Sequence, residues 1–114
     1  MTRLNYIELP VRGTDEAKTF YASVFGWRFT DYGPTYAATT SGDTDIGLQA
    51  DRDQQTAQPL PVIQVDDVEA TLREVELAKG QVTMPIFAFP GGRRFHFRDP
   101  DGHELAVMQP DEAV

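Results

Sequence analysis

The chain has 114 residues, of which 40% are hydrophobic and 25% charged, and a formal net charge of −8. These values suit one domain of ordinary globular composition, and an acidic surface repels phosphate backbones, which argues against nucleic-acid partners and favours cationic or neutral small ligands over anionic ones. The absence of cysteine excludes disulfides, thiolate nucleophiles and zinc–cysteine sites; with no signal-type stretch at the N-terminus and no run near the ~20 apolar residues of a membrane helix, a cytoplasmic protein without a membrane partner is expected.

Leu4–Leu9 alternates apolar and polar positions and predicts a strand closed by Pro10. Thr14 or Asp15 is the expected helix cap, and Ala17, Phe20, Tyr21, Val24 and Phe25 form an apolar stripe at helical spacing that Gly26 stops. Trp27–Thr30, Tyr36–Thr40 and Asp45–Ala50 read as three further strands, separated by turns at Asp31–Pro34 and Ser41–Thr44.

Asp51–Pro59 is polar and reads as a linker, after which the pattern repeats. Leu60–Val65 is a strand. Asp66 with Glu69 suggests a capping box, Val68, Leu72 and Val75 supply the stripe of a second helix, and Gly80 is its expected stop. Gln81–Pro85, Arg93–Arg98 and His103–Met108 complete the set, the last two joined by the tight turn Asp99–Gly102. Val11 precedes Gly26 by 15 residues and Val65 precedes Gly80 by 15, so a shift of 54 superposes the two halves. The expectation is an α+β fold in a single domain, residues 1–114, of two tandem β-α-β-β-β modules: module one over 3–50, a linker over 51–59 and module two over 60–109. One helix covers one face of each module's sheet, so a small ligand is expected in a cup formed where the bare faces meet.

Three segments resemble the vicinal oxygen chelate superfamily, the group of glyoxalases, bleomycin-resistance proteins and extradiol dioxygenases. Asn5–Val11 with the Phe20-Tyr21 pair and Val24–Trp27 resembles the start of its first module. Val65–Val68 resembles the start of its second module, and Phe97–Leu105 its closing hairpin. The resemblance implies a curved mixed sheet, commonly a homodimer, and in some members a divalent metal held by histidines and glutamates on the first and last strands of each module. Those positions fall at Tyr6, Gln49, Leu60 and Ala106. Leucine and alanine offer no donor atom, and neutral tyrosine and glutamine are weak ligands, so neither metal nor other cofactor is expected.

Alternation also selects candidate binding residues. If Ile7 and Leu9 lie under the first helix, Tyr6 and Glu8 face away from it; if Phe95 and Phe97 lie under the second, Arg94 and His96 face away, with Phe97 a core residue. With Gln49 and Gln64, these give a ligand set of Tyr6, Glu8, Gln49, Gln64, Arg94 and His96. The expected function is small-molecule binding without a metal, as in relatives that sequester cationic antibiotics with acidic dimers. The alternative is a lyase or isomerase using Glu8 or His96 as an acid–base group. Ser23 and Ser41 lack the surroundings of a catalytic nucleophile, and His103 is assigned a surface place in its turn.

Overall fold

The computed structural model describes residues 1–112. Its elements are β1 (Arg3–Pro10), α1 (Thr14–Phe25), β2 (Thr30–Asp31), β3 (Tyr36–Ala38), β4 (Asp45–Gln49), β5 (Leu60–Gln64), α2 (Val68–Leu77), β6 (Gln81–Phe89), β7 (Gly92–Arg98) and β8 (Glu104–Pro110). Eight strands and two helices make an α+β fold of mixed strand pairing among the described residues. Two compact units are distinguished: one holds Asn5–Leu60, the other holds Met1–Leu4 with the chain from Pro61 onward. No helix among the described residues is long and apolar enough to cross a membrane.

The first unit has the strand order β2-β3-β4-β1 and the second has β6-β7-β8-β5. In each, the first strand pairs in parallel with the last, and the remaining pairs are antiparallel. The duplication read from the sequence is thus repeated in the topology. Val11 N–H donates to the Gln49 carbonyl at 2.9 Å, and Val65 N–H, 54 positions on, donates to the Met108 carbonyl at 2.9 Å. Both helices start in register as well, at Thr14 and Val68.

The second unit carries its core under α2. Val65, Val68, Phe95 and Val107 are buried together, with Leu72 and Val75 of the helix and Phe97 packed around them. Phe95 is fully buried and Phe97 only partly so, which moves the centre of the core one strand residue pair away from the expected Phe97. In the first unit Ala37 and Leu48 are fully buried, but α1 covers its sheet thinly. Of the expected stripe, Ala17 and Tyr21 are half-buried, while Phe20, Val24 and Phe25 remain more than half exposed.

Several boundaries differ from the sequence-based expectation. β2 is only Thr30–Asp31, because Trp27 and Phe29 are drawn into an aromatic cluster with Tyr21 instead of pairing along β3. Gly13, in extended backbone, caps α1 without a side-chain hydrogen bond, and Thr14 already lies inside the helix. Asp67, not Asp66, caps α2 by accepting from Ala70 N–H at 3.0 Å. Asp66 is taken by the N-terminal ammonium of Met1 at 2.7 Å, and Glu69 by Arg93, so no capping box forms. α1 ends as expected, at Gly26 with φ of 71°. α2 ends at Leu77, and Lys79 rather than Gly80 takes the left-handed conformation, with φ of 69°. Gly80 is needed for space: a Cβ there would crowd the Val75 side chain. β6 runs through Pro85 to Phe89 because it is an edge strand with bulges, where a missing N–H breaks no ladder.

The turn before β4 is held by one carboxylate. Asp45 Oδ1 accepts from Thr39 Oγ1 at 2.7 Å and Ser41 N–H at 2.8 Å, and Oδ2 accepts from Gly42 N–H at 3.2 Å. Burial by itself would raise the Asp45 pKa, but these donors outweigh it and hold the carboxyl below its ordinary value of 3.8. A depressed folded-state pKa gives a contribution present above the unfolded value and lost as pH falls through the folded one. Acid unfolding is therefore expected to draw part of its pH dependence below the value of 3.8 from Asp45, and Asp45→Asn should flatten that part of a stability–pH curve. A curve with unchanged slope would count against the clamp. In the second unit, Phe95→Ala should cost roughly 3–5 kcal/mol in denaturant unfolding, as a fully buried aromatic deletion does, and Phe97→Ala less.

Candidate functional site

Strand register assembles a polar cluster on one face of the first unit. β1 and β4 align Glu8 with Gly47, and β3 and β4 align Tyr36 with Gln49 and Ala38 with Gly47. Alternation then places Tyr6, Glu8, Tyr36 and Gln49 on one side, and Ile7, Leu9, Ile46 and Leu48 on the other. Glu8 is 3% exposed, and Tyr36 Oη donates to its Oε2 at 3.0 Å. Tyr36 Oη also lies 2.5 Å from Tyr6 Oη. A phenol has one proton to give, and that of Tyr36 goes to Glu8. Tyr6 must therefore donate to Tyr36, and the hydrogen bonds run in one direction, Tyr6 to Tyr36 to Glu8.

Burial, followed by the neighbouring Glu8 and Tyr6, pushes the Tyr36 phenol far above its ordinary pKa, so it stays a donor. Gly47 makes the arrangement possible. A Cβ at that position would fall on the phenol oxygens of both Tyr6 and Tyr36. Gln49 is buried beside them, with its Oε1 accepting from Asp51 N–H at 2.9 Å, so its side chain braces the chain after β4.

The second unit has its own polar face, opposite the α2 core. Phe95 and Phe97 belong to that core, and His96 between them emerges on the other side, 2% exposed. His96 Nδ1 lies 3.2 Å from Glu104 Oε2, and Thr83 Oγ1 donates to the same oxygen at 3.1 Å. A carboxylate facing Nδ1 favours a proton on that nitrogen. The His96 ring also lies 5.9 Å from that of Phe87. Arg94 is held under the rings of Phe87 and Phe89, at 5.3 and 5.5 Å from their centroids. Gln64 aligns with Met108, and Arg94 aligns with Met108 from the other side, which puts both on this face.

The structure thus brings Tyr6, Glu8 and Gln49 together in one unit, and Gln64, Arg94 and His96 on one face of the other. Sequence reasoning missed Tyr36 and Gly47. A glycine inside a predicted strand is the available signal, since it marks a place where another group comes close.

The family's metal positions do not suit a metal in this chain. Leu60 and Ala106 are fully buried and have no donor atom. Tyr6 and Gln49 are already engaged, with Tyr36 and Asp51 N–H respectively. Asp99, Asp101 and His103 also bring one ligand atom each within 4.8 Å of one another. There Asp99 Oδ1 accepts from Asp101 and His103 N–H groups at 3.0 and 2.9 Å, and Oδ2 lies 3.1 Å from His103 Nδ1. These bonds, the His103 backbone first, hold the Asp99 carboxyl below its usual range and account for the cluster as the scaffold of the β7–β8 turn.

The sequence pattern of the Glyoxalase/Bleomycin resistance protein/Dioxygenase superfamily matches residues 3–107, and the chain belongs to this family. Among curated relatives it is 29% identical over 121 residues to CFP32 of Mycobacterium bovis and of Mycobacterium tuberculosis, a glyoxylase candidate by name. That match takes in 96% of this chain and 46% of the relative, so the chain spans about half the length of the curated relatives it matches. A hypothetical protein of Bacillus halodurans, BH1468, superposes with a TM-score of 0.80 at 15% identity, over 99% of this chain and 97% of that one. A Mn(II)-bound glyoxalase from Novosphingobium aromaticivorans does so with a TM-score of 0.69 at 21% identity, over 100% of this chain and 44% of that one. At these identities the structural likeness establishes the fold.

Proposed function

We propose that this protein binds a small molecule bearing a hydrogen-bond donor or a positive charge, without the family's metal, through the Tyr6–Tyr36–Glu8 face. The direction of the relay carries this reading. In this relay a carboxylate stands two bonds behind the Tyr6 hydroxyl, which favours a ligand that brings a donor or a positive charge. Tyr6 is half-buried whereas Glu8 is 3% exposed, so Tyr6 is the member an entering molecule reaches first. The net charge of −8 favours the same class of ligand.

The test is a thermal-shift screen of small amines and alcohols, since a bound ligand raises the melting temperature by mass action. For any compound found, Glu8→Gln and Gly47→Ala should each weaken binding roughly tenfold, the size expected for a hydrogen bond to a charged group. Protein purified without chelator should bind the compound with no stoichiometric metal. Affinity untouched by both substitutions, or a stoichiometric metal required for binding, would overturn the proposal.

A second reading, a lyase or isomerase, is favoured by the His96–Glu104–Thr83 arrangement. A histidine whose tautomer is set by a carboxylate is the usual form of a general base. Turnover of a bound compound that His96→Gln abolishes while binding persists would establish it.

We also propose a cytoplasmic homodimer. Phe20 and Val24, 58% and 55% exposed, leave apolar surface on α1 that favours association. Light scattering at tens of micromolar should give twice the 12.7 kDa chain mass, and a monomer would refute the dimer.

A further inference from the structure

A cavity lies in the first unit, on the strand face opposite Glu8. It measures about 590 Å³, and Ile7 and Ile46, Trp27, Arg28 and the Thr39–Asp45 turn line it. The size falls within the range of small-molecule pockets.

We infer that this cavity binds small apolar carboxylates: an aromatic ring or short hydrocarbon body carrying a single carboxylate. Its floor is apolar, made by Ile7 and Ile46, which stand side by side on β1 and β4. Its wall is the indole of Trp27, which stacks with Tyr21 at 5.5 Å and Phe25 at 5.0 Å and stays 39% exposed. The ring is thus held in place before any ligand arrives, and its remaining exposure lets it lie against a flat molecule. The turn that forms the rim is fixed by the Asp45 clamp described above.

The charge preference follows from the two ionic groups. Asp45 turns both oxygens onto Thr39, Ser41 and Gly42, so its acceptor positions serve its own turn. Arg28 is exposed, and among the described residues no hydrogen bond or ion pair engages its guanidinium. Its donor fork matches a carboxylate in a way no other lining group does. The acidity of the whole molecule opposes anions at long range, but screening limits that field to about 8 Å in physiological salt, and contact with Arg28 decides binding.

This site is independent of the one proposed above, and its test reads a different residue. Trp27 is the single tryptophan of the chain, so its emission reports on this cavity alone. Titration with 4-nitrobenzoate, a quenching aromatic carboxylate, should give saturable quenching. Neutral 4-nitrobenzyl alcohol should quench only in linear, collisional fashion. Arg28→Gln should weaken the saturable phase about tenfold or more with an unchanged melting temperature, and Glu8→Gln should leave it in place. Linear quenching by the carboxylate, equal affinity for the alcohol, equal affinity in Arg28→Gln, or loss of the effect in Glu8→Gln alone would overturn the inference.

Discussion

Each unit depends on the parallel pairing of its first strand with its last. A parallel pair needs a long connection between its members, and here the helix and two intervening strands supply it. The pairing lays β1 beside β4, so that Glu8 meets Gly47, and lays β5 beside β8, so that Gln64 meets Met108. Without it, residues separated by about forty positions could not share a face. The bonds from Val11 to Gln49 and from Val65 to Met108 close both pairs at the same point of the repeat.

The two units use this frame unequally. In the second, α2 sits on a packed apolar core and the polar groups are confined to the other face, where His96 is locked by Glu104 and Arg94 by two phenylalanine rings. In the first, α1 covers less, and its aromatic residues cluster with Trp27 and Phe29 beyond the helix end. That cluster shortens β2 and leaves room between Trp27 and the sheet. One departure from regular strand structure therefore accounts both for an error in the predicted elements and for a cavity.

Polar groups in the first unit are organised by direction as well as by proximity. A carboxylate buried to 3% exposure is costly unless hydrogen bonds satisfy it. Tyr36 is fixed as its donor, and this in turn fixes what Tyr6 can do. The Asp45 turn works the same way, with one carboxylate collecting three donors and spending its acceptor capacity on its own backbone.

The sequence by itself determined the repeat, the Gly26 stop and the side of the strand from which Tyr6, Glu8, Arg94 and His96 project. All of these follow from local periodicity and backbone conformation, which neighbouring residues dictate. It also excluded ligand chemistry at Leu60 and Ala106, because a side chain without a donor atom has none in any fold. The tertiary structure alone decided which residues meet. Tyr36 joins Glu8 across 28 positions only through the register of β3, β4 and β1, and Gly47 reads as an ordinary strand glycine until two phenols are seen above it. Such pairings turn on packing between segments remote in the chain, and periodicity carries no record of them.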